Sequence, residues 1–164
     1  MNGNVWEWCG GLRILDGEIQ VIADNNASAG ADMSSKSTLW KAIDKDGNLV
    51  APGSANTLKL DYTSTPGTSG TKGVCKSTTT LTNKQTVEEV YSAGAFEDMP
   101  KDETLVVPEI MKALALYPEG EKEGHGDYIY MRNIGERLPF RGGSFDSNSS
   151  AGVFALYCYY TRLH

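Results

Sequence analysis

Asp16-Gly17 stands between two β-prone runs, Leu12-Arg-Ile-Leu15 and Glu18-Ile-Gln-Val-Ile22, and no other short pattern in the chain dictates local geometry so firmly. A two-residue connection of this kind needs positive φ at both central positions. Asp tolerates that conformation and Gly adopts it freely, and the resulting twist matches the strands on either side. The pattern predicts an antiparallel hairpin. Ahead of it, Asn4-Val-Trp-Glu-Trp-Cys9 alternates apolar and polar side chains up to the break at Gly10-Gly11. A second hairpin is predicted where Thr38-Leu-Trp-Lys-Ala-Ile43 and Asn48-Leu-Val-Ala51 flank Asp44-Lys-Asp-Gly47, and Thr57-Leu-Lys-Leu-Asp-Tyr62 alternates like a further strand.

Composition matters most in the stretch that follows. From Asp61 to Thr86, twelve of 26 residues are Ser or Thr and three are Gly, too little apolar surface to build a core, so an exposed loop is expected. Thr86-Val-Glu-Glu-Val-Tyr91 has an N-cap candidate and acidic residues in a first turn, predicting a short helix that ends at Gly94. A second helix is predicted from Pro108 to Leu116, with Ile110, Met111, Leu114 and Tyr117 on one face and Pro118 and Gly120 as stops. Tyr128-Ile-Tyr-Met131 reads as a strand. Strands and segregated helices in 164 residues make an α+β fold in one domain, residues 1–164.

The net charge of −6 and pI near 4.9 oppose a nucleic-acid partner or an anionic membrane surface. There is no run of eighteen apolar residues, and Met1 leads into Asn2-Gly3-Asn4 instead of a basic and then apolar leader, so a soluble chain without membrane insertion is expected. Cys9, Cys75 and Cys158 lack metal-site spacing and read as reduced thiols packed as small hydrophobes, with one disulfide plus a free thiol as the alternative. Gly67, Gly70, Gly73 and Lys76-Ser77 imitate a phosphate loop, but Cys75 stands where that pattern needs Gly. Asp44, Asp46 and Asn48 imitate the start of a calcium loop, yet the turn glycine falls two positions early. His125 and His164 have no nucleophile or acid at a useful spacing. No cofactor and no metal are expected, and catalysis is not.

The two ends of the chain carry more information. Asn2-Gly-Asn-Val-Trp-Glu-Trp8 and Arg141-Gly-Gly-Ser-Phe145 together resemble the ordered signatures, "GNVWEW" and later "RGGSW", of the formylglycine-generating-enzyme type of C-type-lectin-like fold. The second motif has Phe145 in place of Trp. The resemblance covers residues 2–24 and 133–164 and implies a C-type-lectin-like fold with a large central insertion, residues 25–132. Within that fold, one branch is the sulfatase-modifying enzyme, which uses a copper-binding cysteine pair. Tyr157-Cys158-Tyr159 resembles its first cysteine, but Leu163 stands where the second would be, and soft Cu(I) favours paired thiolates.

The other branch is the variable protein of diversity-generating retroelements. Ala151-Gly-Val-Phe-Ala-Leu156, followed by Tyr157, Tyr159, Tyr160, Arg162 and His164, resembles its variable region, which often reads "AGVFALNLNNARSN" before diversification. Mutagenesis in that family acts at template adenines. Replacing the first adenine of an Asn codon gives Tyr, His or Asp, the residues at 157, 159, 160, 164 and 146, while Ser147 and Ser150 are one second-base change away. Three of the chain's eight tyrosines within four residues would then be separate selected outcomes. Tyr also suits a binding face physically, since it offers large rigid contact area with two χ angles to freeze, while Ser and Asn supply adaptable hydrogen bonds. On a strand, Tyr157 and Tyr159 share one face and Tyr160 takes the other, so all three cannot be core.

The resemblance thus implies a hypervariable ligand-binding domain on a phage tail (virion) or bacterial cell surface. Its partner would be a protein or glycan target on a host or neighbouring cell, with homo-oligomerisation as a further expectation. The implied contact residues are Ser144, Phe145, Asp146, Ser147, Asn148, Ser150, Tyr157, Tyr159, Tyr160 and His164. A structural tail module without variable contacts is the rival non-enzymatic reading. Val153, Phe154, Leu156 and Arg162 read as scaffold, and Trp6 and Trp8 as side chains directed into the core. The family also has elements before the first motif and a strand after the variable segment, so the chain is expected to be a fragment of a longer protein.

Overall fold

The computed structural model describes residues 5–67, 69–71, 75–120, 126–144, 146–148 and 151–162. In chain order the strands are β1 (Glu7–Trp8), β2 (Leu12–Leu15), β3 (Glu18–Ile22), β4 (Trp40–Ile43), β5 (Leu49–Val50), β6 (Lys59–Tyr62), β7 (Gly70–Thr71), β8 (Cys75–Thr78), β9 (Val90–Ala95), β10 (Tyr128–Met131), β11 (Glu136–Arg137), β12 (Phe140–Gly142) and β13 (Gly152–Cys158). One α-helix, α1 (Glu109–Ala113), and two 3-10 segments, Ala23–Ala29 and Phe96–Asp98, complete the described elements. The chain is therefore mainly β, and the α+β expectation is corrected. No helix among the described residues is long and apolar enough to cross a membrane.

Two sheets share the strands. One runs β1-β12-β13-β10-β9-β7, with β13 antiparallel to β12 and parallel to β10. The other runs β11-β2-β3-β4-β5, and β6 joins it by pairing with β3 and β8. The first hairpin forms as expected, with Leu15 opposite Glu18 and positive φ at Asp16 (49°) and Gly17 (83°). The second forms too, with Ile43 opposite Leu49 and the Asp44 carboxylate accepting the N–H groups of Asp46 and Asn48 at 2.9 and 2.8 Å. Between the sheets lies one core, where Ile14, Ile19, Ile43, Leu58 and Leu60 from one side meet Val90, Ile129, Met131, Leu156 and Cys158 from the other. Met99, Leu105, Val107, Met111 and Leu116 of the connecting segment fill it further.

Three local expectations differ from what forms. Residues 86–91 do not build a helix; Val90–Ala95 is β9, because β10 pairs along it and period-two alternation puts Val90 and Ser92 inside. The second helix is only Glu109–Ala113, with Pro108 as its N-cap, since Ala115 turns to φ 48° and thereby carries Leu116 into the core. The Ser/Thr-rich stretch is an exposed loop only in part. Its β8 pairs with β6, and its polar groups close a hydrogen-bond network around the buried Asp61. That carboxylate accepts the Thr82 N–H at 2.7 Å and hydroxyl at 2.9 Å and the Asn83 N–H at 3.1 Å, while Tyr62 donates its hydroxyl to Gln85 at 2.6 Å. Gln85 and Asn133 exchange backbone-to-side-chain bonds of 2.9 and 2.8 Å. Polar residues can line a core when each finds its partner there.

Residues 25–132 are correspondingly woven into the domain. Their β4, β5, β6 and β8 extend the second sheet, and their β9 and β10 lie in the first beside β13.

Candidate functional site

The site is one face of the first sheet. Alternation along β13 sends Leu156 and Cys158 to the core and Tyr157 to the opposite face, and alternation along β10 does the same with Ile129 and Met131 against Tyr128 and Tyr130. Strand pairing then aligns the outward residues. Trp8 lies opposite Phe140, Phe140 opposite Tyr157, and Tyr157 opposite Tyr130, a cross-strand row over four strands. Adjacent centroids are 3.6 Å apart for Trp8 and Phe140 and 4.4 Å for Tyr157 and Tyr130. Tyr91 on β9 extends the row, 6.3 Å from Tyr130, and Tyr128 flanks it at 5.8 Å. Tyr159 and Tyr160, just past the end of β13, lie over this row: Tyr159 stacks on Tyr160 at 4.3 Å and on Tyr91 at 6.2 Å, and Tyr160 meets the edge of Phe140 at 5.2 Å.

Exposure separates the members. Tyr157 is only 8% exposed, covered by Trp6, whose centroid is 3.9 Å away. It supports the cluster from beneath. Tyr159 and Tyr160 are half-buried, and Trp8 and Tyr128 are 49% and 37% exposed. The expectation that Trp8 enters the core is thus corrected: β1 is an edge strand, and its tryptophan packs on the outer face of Phe140. Trp6 is half-buried against Tyr157 and not within the core.

The backbone below Tyr159 is fixed independently of its ring. Arg132 and Arg137 donate to its carbonyl at 3.4 and 3.3 Å, and buried Arg137 also makes a forked pair with Glu88 at 2.6 and 2.7 Å. The Arg132 guanidinium lies 5.3 Å over the Tyr159 ring, within cation–π range. Burial, reinforced by the hydroxyl bond of 3.1 Å to Tyr160, pushes the Tyr159 phenol well above its ordinary value, so it remains a neutral donor. Arg162 is tied to Glu136 by two bonds of 2.9 Å, and Glu136 also takes Arg13 at 2.8 Å. That is the scaffold role expected of Arg162.

Beside the aromatic face, the loop from β12 to β13 carries the other candidate residues. Ser144 donates its N–H to the Ser147 hydroxyl at 3.1 Å and accepts the Ser147 N–H at 3.0 Å, and its hydroxyl bonds Asp146. Asn148, at φ 47°, donates to the Asp146 carbonyl at 3.1 Å. Asp146 and Asn148 are exposed, and Ser144 and Ser147 are half-buried. Phe145, Ser150 and His164 lie outside the described residues. Val153 and Phe154, expected as scaffold, are instead 61% and 38% exposed at the start of β13, where the strand departs from its neighbour; Leu156 is buried as expected.

Sequence reasoning missed Tyr91, Tyr128, Tyr130 and Phe140 as members of this face. Alternation in Tyr128-Ile-Tyr-Met131 already placed both tyrosines on one side, but nothing local reveals that β10 pairs parallel with a strand almost thirty residues later. Cys158, the residue resembling an enzyme cysteine, lies wholly buried on the core side of β13. No family model and no curated protein matches the chain.

Proposed function

We propose that this is a C-type-lectin-like domain of the retroelement-diversified kind, displaying a variable ligand-binding surface and catalysing no reaction. Its contact surface comprises Tyr159 and Tyr160 on their aromatic bed, together with loop residues Ser144 to Asn148. The supporting observation is the aromatic face itself. Partly exposed rings from four strands, joined by Tyr159 and Tyr160 just past β13 and underlain by buried Tyr157, form a continuous patch whose backbone is held by Arg132, Arg137 and Glu88, so side chains at 159 and 160 can change without dismantling the support. Rigid aromatic area flanked by short polar side chains is the composition of a paratope. The pairing of β1 with β12 also agrees with the motif reading, because it brings the two end motifs side by side, Glu7 opposite Arg141. The target is a protein or glycan on another surface, with the domain borne by a phage tail or a bacterial cell surface.

Display selection tests this directly. A library randomised at 146, 147, 148, 159 and 160 should stay folded in most members and yield binders to an unrelated folded protein such as lysozyme. A library that misfolds throughout, or folds and never yields a binder, overturns the proposal.

A further inference from the structure

The register between β12 and β13 breaks at one place. Between the pairs Arg141 with Leu156 and Gly142 with Gly152, β12 advances one residue while β13 advances four, so Val153, Phe154 and Ala155 bulge between two registered pairs. A bulge of this kind leaves backbone donors to be satisfied elsewhere and re-aims the side chains it carries. Here the Phe154 N–H is accepted by the carboxylate of Asp127 at 2.8 Å. Asp127 is itself buried, and its carbonyl accepts the Phe96 N–H at 2.7 Å, so it bridges β13 to the segment after β9. The fit is close, since a Cβ placed on Gly152 would overlap the Asp127 carboxylate. At the other end of the same loop, Gly143 has φ 100°, and a Cβ there would come within 2.6 Å of the Ala151 Cβ.

Resting on the recognition reading above, we infer that Asp127 and Gly152 form a latch that positions the recognition loop. The carboxylate takes the Phe154 N–H at the register break, holds the bulge in one geometry, and so sets where the loop residues Ser144, Asp146, Ser147 and Asn148 and the exposed Val153 and Phe154 lie relative to Tyr159 and Tyr160. The contact between Gly143 and Ala151 closes the loop's neck. Asp127 is a positioning residue: it lies outside the variable set and acts on recognition through the backbone of β13.

The latch has a measurable signature in the domain alone. A bond to a charged acceptor is worth about tenfold or more in local opening, so Asp127→Ala should speed hydrogen exchange at the Phe154 amide about tenfold while leaving Leu156 and Ile129 unchanged. Asp127→Asn keeps an acceptor oxygen and should restore part of the protection. Gly152→Ala should reproduce the Asp127→Ala effect by evicting the carboxylate, and should add little in the Asp127→Ala background, because coupled sites are non-additive. Unchanged protection at Phe154, or effects that simply add, overturns the latch. Should Asp127→Ala fail to fold, the Asp127→Asn and Gly152→Ala variants carry the same comparison.

Its role in recognition is read from the display library against lysozyme, built in both backgrounds at matched display levels. The best clones from the Asp127→Ala background should bind at least about tenfold more weakly. Equal affinity overturns the positioning role. If the unaltered background yields no binders, the recognition reading falls and takes the positioning role with it, while the exchange comparison still decides whether the latch exists.

Discussion

The two sheets put their aromatic side chains to opposite uses. In the second sheet and the segment beside it, Trp40 and Tyr62 are buried and their polar ends are matched inside the protein. Trp40 donates to the Ser34 carbonyl at 3.0 Å with Arg13 4.4 Å over its ring, and Tyr62 bonds Gln85. In the first sheet, Tyr128, Tyr159 and Tyr160 keep ring area at the surface and rest mainly on other rings. Burying a tyrosine is cheap when its hydroxyl has a partner, so the hydroxyl's surroundings decide whether the ring serves as core or as contact area. One sheet is the platform, and the other presents a face.

This contrast can be broken by substitutions on either side. The largest effect is expected in the platform, where Leu60→Ala should cost about 2–5 kcal/mol in denaturant unfolding, with the m-value unchanged. Asp61→Ala should follow at about 3 kcal/mol, because it leaves the buried Asn133 amide without this acceptor and takes the shared acceptor from Thr82 and Asn83. Within the first sheet, Tyr157→Ala belongs with the platform. Its burial under Trp6 sets a cost of about 2–4 kcal/mol, and a loss below about 1 kcal/mol would show that Trp6 does not cover it. Tyr160→Ser and Tyr159→Ser should each cost about 1 kcal/mol or less in the same assay, and Asn148→Ser should fall within about 0.5 kcal/mol of the parent. Tyr159 and Tyr160 behaving like Leu60 would make the whole face core.

Acid titration sharpens the boundary between the two regions. Burial raises the pKa of Glu136, but hydrogen bonds and charges from Arg162 and Arg13 outweigh it and hold the group below its ordinary value of 4.5. A depressed carboxylate contributes stability that is present above the unfolded-state value and is lost as pH falls through the folded one. Thermal stability should therefore decline below about pH 4.5, and Glu136→Gln should be less stable at neutral pH with a flatter acid limb. The Tyr159 phenol is raised and neutral throughout, so no alkaline change near pH 10 is expected from it.

Much of the fold was legible in local chemistry. Both Asp-Gly hairpins, the strand at Lys59–Tyr62 and the strand at Tyr128–Met131 follow from turn residues and alternation alone. The failures share a cause. At 86–91 a cap and two glutamates signalled a helix, but the strand pairing of Ser92–Ala95 with β10 and the bond of Glu88 to Arg137, 49 positions away, overrode it. The Ser/Thr-rich stretch lacked apolar surface, yet Asp61 gave its side chains a buried acceptor that composition does not reveal. The candidate site was legible as a list and not as a surface. Tyr159 and Tyr160 stood out by clustering, whereas Tyr91, Tyr128 and Phe140 join them through strand order, and Tyr157 was withdrawn by Trp6 from the other end of the chain.

Diversification of the face is reported most directly by the DNA beside the gene's 3′ end. Sequencing that region should find a near-identical repeat next to a reverse-transcriptase gene, with differences confined to template adenines at the codons for Asp146, Tyr159, Tyr160 and His164. No repeat, or differences spread over all four bases, would contradict the account and make these tyrosines a fixed surface.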